Sequence, residues 1–322
     1  MVCTVSLPGR FMWRPRFGIG VMEIAVFGAS GFVGRNLLDV LATTEHHVIA
    51  CDVEPLSDAH EDVAFEQVDI LNDEAVSEVV EGVDAVIQLA AHQLPESKED
   101  PALNAKINVV GSLNVFDAAR THDVDKVVFS SASSIIGRVK ENPVPEDHPV
   151  TPQSPYGVAK HAVEEYLEVY NDLYDLDYIV LRFFNVYGPY QRPESGALVP
   201  VVLSRLAEGD GVFVTGDGQQ TRDFVYVRDI ADFLVAAVES DVCNEVVNMG
   251  TGEGTAILEA IETMADIVGV DPEIDRRPER SDEIDDFYAD TEKCERLFGH
   301  TPTTSLETGL EETYEWLATE LS

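Results

Sequence analysis

Basic residues are the scarce charged class in this chain. It has 21 Lys+Arg against 60 Asp+Glu, a net charge of −39 over 322 residues. A surface so negative repels nucleic-acid phosphates and anionic lipid, so neither is expected as a partner, and no membrane association is expected. It also repels itself unless salt intervenes; at ~1 M salt the Debye length is only about 3 Å. The imbalance is far beyond what keeps an ordinary domain soluble. It points to a cytoplasm of very high ionic strength, as in a halophilic microbe. Cysteine is scarce too. Cys3, Cys51, Cys243 and Cys294 form no C-x-x-C pair and no metal-ligand spacing. Cys51 falls in an apolar run and reads as a small core residue, and the set fits a reducing cytoplasm. His46, His47, His92 and His161 show no ligand set either, so no metal is expected. No segment reaches the ~18 apolar residues of a membrane span. Residues 1–22 lack acids altogether and carry Arg10, Arg14 and Arg16. Their apolar stretches are too broken for a signal peptide, so 1–21 reads as a disordered extension or a mis-called start.

What is present is alternation. With 45% hydrophobic residues the chain can fill a large core. "EIAVFGAS" (23–30), "HHVIACD" (46–52), "VAFEQVDI" (63–70), "DAVIQLAA" (84–91), "DKVVFSSAS" (125–133) and "DYIVLRFFNVYG" (177–188) read as strands. Between them, 31–42, 72–82, 101–120 and a segment from Tyr156 to about Tyr174 have helical periodicity. Strands and helices alternating in this way predict an α/β fold: a Rossmann-type doubly wound parallel sheet. After Gly188 the alternation loosens. Helices are expected at 198–209, 228–240, 256–269 and 305–321, strand–turn–strand at 213–227, and a strand at 244–250. The expected organisation is a dinucleotide-binding domain over 22–184, joined by 224–250. A smaller C-terminal α/β substrate domain is expected over 185–223 and 251–322.

"FGASGFVG" places Gly28, Gly31 and Gly34 between the first strand and the first helix. Glycines there let the backbone turn tightly and approach a pyrophosphate that faces the helix N-terminus. A glycine triplet alone is weak, but strand before and helix after strengthen it. Asp52 ends the second strand. A carboxylate there accepts from a ribose 2′-hydroxyl and repels a 2′-phosphate, which favours NAD over NADP.

"SPYGVAKHA" (154–162) sets Tyr156 and Lys160 four apart, on one helix face. A phenol, with pKa near ~10, is a poor base at neutral pH. A neighbouring ammonium is expected to lower that value, so that the phenol can exchange a proton with a hydroxyl while hydride leaves the same carbon. Y-x-x-x-K is common by chance; its place after "SSASS" in a dinucleotide fold is what lends it weight.

The ordered set "FGASGFVG", "VDI" (68–70), "LAA" (89–91), "FSSASSIIG" (129–137), "YGVAK", "LRFFNVYGP" (181–189), "GDGQQTRDFVYV" (216–227) and "YAD" (288–290) resembles the extended short-chain dehydrogenase/reductases. Within them it is similar to the nucleotide-sugar epimerases of the UDP-glucose 4-epimerase type. The resemblance implies that Tyr156 is the acid/base and that Lys160 holds the nicotinamide ribose. It implies cofactor contacts at Ser30, Phe32 and Val33 beside the glycines, at Asp69 and Ile70 around the adenine, and at Leu89, Ala90, Ala91 and Ser131. For the substrate it implies Asn185 at the diphosphate and Leu198 at the base. Arg222 and Arg277 would pair with phosphates, a role that suits guanidinium geometry.

Dehydratase relatives carry an Asp-Glu pair where Ser133 and Ser134 stand, and decarboxylase relatives keep the Glu. Without either carboxylate, hydride out and hydride back remains: NAD-dependent epimerisation of a nucleotide-diphosphate sugar. The family's catalytic Ser/Thr position falls on Ala132, its customary tyrosine on Ile136, and the lysine of many epimerases on Gln93. Ser131 or Ser133 would have to supply the missing hydroxyl, with Ser133 the preferred candidate. Two other functions share these motifs, an NAD-dependent dehydrogenase with net redox and a non-catalytic NAD sensor. Helices 101–120 and 156–174 resemble those that pair as a four-helix bundle in family homodimers.

Overall fold

A computed structural model describes residues 20–56, 63–278 and 284–320; Cys3 and all but the end of the 1–21 leader lie outside the described residues. In chain order the first elements are β1 (Glu23–Phe27), α1 (Phe32–Leu41), β2 (His47–Asp52), β3 (Val63–Gln67), α2 (Asp73–Val80) and β4 (Ala85–Gln88). Next come α3 (Leu94–Glu99), α4 (Pro101–Ala105), a π-helical turn (Lys106–Gly111), α5 (Ser112–Thr121), β5 (Lys126–Ala132), a 3-10 turn (Ser133–Ile135), α6 (Pro155–Tyr174) and β6 (Tyr178–Phe183). The remainder is β7 (Asn185–Tyr187), α7 (Leu198–Ala207), β8 (Val212–Thr215), β9 (Thr221–Arg222), β10 (Phe224–Tyr226), α8 (Val227–Glu239) and β11 (Glu245–Met249). It closes with β12 (Thr255–Ala256), α9 (Ile257–Val268), β13 (Ile274–Arg277), α10 (Glu292–Phe298) and α11 (Leu306–Glu320).

Seven parallel strands form the central sheet in the order β11-β6-β5-β4-β1-β2-β3. Their near-continuous apolar runs are what burial on both faces demands. On one face Leu37, Leu38 and Leu41 of α1 and Phe233 and Leu234 of α8 pack on Ile24, Val26 and Ile87. On the other, Val76, Phe116, Val163 and Leu167 from α2, α5 and α6 cover Ala25, Phe27 and Val127. Phe116 meets Phe129 edge-on at 6.3 Å and Tyr170 at 6.0 Å, locking α5, β5 and α6 together. A third apolar cluster, with Leu203, Val212, Tyr226, Ile261, Met264 and Leu310, forms the core of the C-terminal elements.

The strand order reverses between β1 and β4. In open α/β sheets that switch point opens a crevice at the carboxyl ends of the strands.

Four local expectations are corrected. The helix at 101–120 is interrupted by the π-helical turn, where Gly111 approaches Ile70 so closely that a Cβ would stand 2.5 Å from the isoleucine Cδ1. The strand at 177–188 leaves the sheet at Phe184, and Asn185–Tyr187 pairs instead with β10. The 213–227 hairpin is three short strands, each with a different partner. The 63–70 strand ends at Gln67, freeing Val68–Ile70 for the crevice.

Candidate active site

The crevice at the switch point is a cleft of about 530 Å³, lined from the ends of four adjacent strands. Gly28, Ser30 and Gly31 follow β1, and Asp52 to Glu54 follow β2. Val68 to Leu71 follow β3, and Leu89 to Gln93 follow β4. Of the cofactor residues expected from sequence, Gly28, Ser30, Gly31, Asp52, Asp69, Ile70, Leu89, Ala90 and Ala91 line it. Phe32, Val33 and Gly34 form the first turn of α1 behind it.

The cleft fits a dinucleotide on its own geometry. Gly28 has φ +87°, and a Cβ there would lie 2.5 Å from the Ala90 nitrogen; one on Gly34 would collide with the Gly28 carbonyl. Only glycines allow this close approach. Gly31 is the N-cap of α1 and offers no side-chain cap, so the first amides of the helix are left for an anion. Asp52 accepts from the backbone N–H of Ser30 (2.9 Å) and of Glu54 (3.1 Å). A carboxylate has about four acceptor sites, so Asp52 keeps room for ribose hydroxyls.

Beside β4 in the sheet lies β5, and α6 packs against its carboxyl end. The start of this helix is built by three residues. The Ser154 hydroxyl accepts from the Gly157 amide at 3.0 Å, Pro155 opens the first turn, and Gly157 lets the helix dock on the Ser134 carbonyl, 2.7 Å from where its Cβ would be. Tyr156 and Lys160 then share a face. Lys160 is buried, donates from Nζ to the Ser130 carbonyl at 2.6 Å, and lies 4.6 Å from the Phe129 ring centre and 5.6 Å from that of Tyr156. Burial pulls this ammonium down to about 7, against an upward push from Glu164. The expected depression of the phenol is corrected here: burial pushes Tyr156 up.

Ala132 closes β5 in register with Phe183, and Ser133 opens the 3-10 turn, buried. Among the described residues, the buried hydroxyls without a protein partner belong to Ser131 and Ser134. His92 also carries a buried Nδ1 without a partner. Its backbone is clamped by Asn108, which accepts the His92 N–H at 2.6 Å and donates to its carbonyl at 2.9 Å, and by Asn104 at 3.2 Å. Sequence reasoning missed Ser134 and the clamp of Asn108 on the His92 backbone. The hydroxyl run "SSASS" was the available signal for the first; the asparagine clamp has no sequence signature.

The remaining candidates are spread over the C-terminal elements. Asn185 opens β7 and bonds to the Asp223 carbonyl; Leu198 opens α7. Arg222 donates from Nη1 to the carbonyls of Thr221 (2.6 Å) and Ile284 (2.8 Å). The neighbouring Asp223 carboxylate clasps Thr251, Gly252 and Ala289 by their amides, fixing this corner. Arg277 stands apart from the cleft at the switch point. Its guanidinium covers Phe213 at 3.6 Å and its Nε lies 3.3 Å from Asp275, in a separate cavity of about 280 Å³. A polar cleft of about 640 Å³ adjoins the start of α6, lined by Arg138, Lys140, Asn142 and Gln153. Among the described residues no helix is long and apolar enough to cross a membrane, and no cluster of metal-ligand type occurs.

Residues 24–250 match the model of the NAD dependent epimerase/dehydratase family, and the chain belongs to that family. It is 35% identical to the UDP-glucose 4-epimerase of Mycolicibacterium smegmatis, over 92% of this chain and 98% of the relative. The UDP-glucose 4-epimerase of Thermotoga maritima, solved with UDP-glucose, superposes with a TM-score of 0.87 at 34% identity, covering 94% of this chain and 100% of that one. The UDP-N-acetylglucosamine 4-epimerase of Methanobrevibacter ruminantium, solved with UDP-N-acetylmuramic acid, gives 0.88 at 30%, with the same coverage. The expected fold, the NAD cofactor and the nucleotide-sugar epimerase class are borne out by these matches.

Proposed function

We propose that this enzyme inverts the C4 hydroxyl of a UDP-hexose, with Tyr156 and Lys160 handling the proton. The observation that carries the reading is Lys160, buried and tethered to the end of β5 with its Nζ 5.6 Å from the Tyr156 ring centre, one strand along from a glycine-walled cleft. NAD, when bound, supplies reversible hydride uptake from a carbinol carbon. Gly28, Gly31 and Gly34 admit its pyrophosphate, and Asp52 accepts from its ribose. Lys160 is tethered to Ser130 and holds its charge beside the phenol. Tyr156 takes the hydroxyl proton as the carbinol is oxidised and gives it back on the return. A hydroxyl from Ser133, with Ser131 and Ser134 as neighbours, orients the reacting oxygen in place of the group that Ala132 lacks.

The unit over 22–184 and 224–250 takes NAD, and 185–223 with 251–322 takes the sugar nucleotide through Asn185, Leu198, Arg222 and Arg277. The enzyme works as a homodimer in a cytoplasm of high ionic strength.

The test is incubation of the protein in high salt with UDP-glucose, UDP-galactose and other UDP-sugars, products read by NMR. Interconversion of a 4-epimeric pair without accumulating NADH is expected, and Tyr156→Phe should lower kcat by roughly 10²–10⁴-fold, the usual contribution of a positioned acid/base. Net NADH formation would make it a dehydrogenase; full turnover in Tyr156→Phe would remove the tyrosine from the chemistry.

A further inference from the structure

One turn beyond Lys160 on the same face of α6 lies Glu164, buried, with Arg182 of β6 equally buried against it. The pair is bidentate: Nε to Oε1 at 3.1 Å and Nη2 to Oε2 at 2.7 Å. A third guanidinium donor reaches the Glu146 carbonyl at 2.7 Å, and the Glu146 carboxylate accepts the Asn248 amide from β11. Arg182 also stands in register with Ser131, the neighbour of the residue that tethers Lys160. Neither member is among the residues that line the clefts described above. A buried ion pair gains little over apolar packing, so its stability contribution does not account for it. Its charge, one turn from a desolvated lysine, does.

We propose that Glu164, held in place by Arg182, is a positioning residue that keeps Lys160 protonated at the pH of catalysis. The proposal rests on the assignment of Tyr156 and Lys160 as the proton-handling pair. Glu164 is the anion whose field reaches Lys160. Among the described residues, the other elements around it offer no substitute. β5 presents the Ser130 carbonyl and the Phe129 ring, and the 3-10 turn has no titratable group. Lys106, Glu96, Lys98 and Glu99, on the helical segments packed against α6, are solvent-exposed. Asp117 and Arg120 of α5 pair with each other. Lys160 already sits at about 7; without the carboxylate it would be largely neutral there. A neutral amine neither lowers the phenol nor holds it through an ammonium contact.

The chain has six lysines, so ε-carbon isotope labelling gives a readable NMR titration without substrate. Lys160 is assigned by its loss in Lys160→Met. Lys126, a second buried lysine, at the far end of β5 and capping α8 through the Ala237 and Ser240 carbonyls, is the internal reference. In Glu164→Gln the Lys160 midpoint should fall by about one unit or more, with Lys126 unmoved. The alkaline limb of UDP-galactose turnover should move to lower pH by the same amount. Glu164→Gln with Arg182→Gln removes both charges and leaves no stranded guanidinium; it should shift Lys160 by less, and it decides the matter if the single variant does not fold. A Lys160 midpoint unchanged in a folded variant overturns the proposal. A shifted midpoint together with full turnover in Tyr156→Phe would instead overturn the tyrosine–lysine assignment and leave the electrostatic link standing.

Discussion

Tyr156 and Lys160 are four residues apart, yet burial moves their protonation in opposite directions, the phenol up and the ammonium down to about 7. Both shifts favour the neutral forms, and both arise because desolvation penalises whichever form is charged. The spacing of the pair was legible in the sequence. The direction of the phenol shift was not, because it depends on how much protein closes around α6. The glycines were legible for the opposite reason: a missing Cβ is a local property. Gly34 is the sharper test of them. A methyl there meets the Gly28 carbonyl and the Ala29 Cα at 2.7 Å, backbone that cannot swing aside. Gly34→Ala should therefore weaken NAD binding at least tenfold and destabilise the fold by about 1–3 kcal/mol, the usual cost of overpacking. Fluorescence titration with NADH and a melting curve would measure the two; NADH affinity unchanged from the parent would contradict the cradle.

At the scale of elements, α6 is the informative helix because its two faces do different things. One carries Tyr156, Lys160 and Glu164 inward. The other leaves Val158 54%, Tyr166 43%, Val169 46% and Leu173 65% exposed, an apolar stripe at spacings of eight, three and four. Val110 of the π-helical turn, 48% exposed, adds to the unpartnered apolar surface on the neighbouring segment. Such a stripe on a protein surface calls for a cover, and pairing of this face with a second copy is the occupant that the homodimer proposal supplies. Leu173→Glu should convert a dimer to a monomer by light scattering while the fold persists, since the side chain touches little in its own protomer. A wild-type protein that scatters as a monomer would end the proposal. Most elements of the sheet were legible because strand and helix periods differ so plainly. The π-helical turn was not, since it arises from the approach of Gly111 to Ile70, and the break after Phe183 was not, since Phe184–Tyr187 stays as apolar as the strand before it.

For the whole molecule, the governing number is the net charge of −39. The sites that do chemistry escape it. Lys160, Arg182 and Glu164 are buried and keep their own company, so salt screens them little. The surface has no such shelter: at ~0.15 M salt the screening length of about 8 Å lets neighbouring carboxylates repel across the whole exterior, whereas at ~1 M it contracts to about 3 Å. Repulsion of this kind destabilises the compact state without altering its contacts. The melting temperature and the turnover should therefore both rise as KCl is raised from ~0.1 M towards ~2 M, well past the point where an ordinary protein stops responding. The midpoint of Lys160 should stay nearly constant over the same range, because its partners are internal. A melting temperature indifferent to KCl would remove the case for a high-salt cytoplasm. A Lys160 midpoint that drifts with salt as the surface does would mean that the field at the site comes from the exterior and not from Glu164.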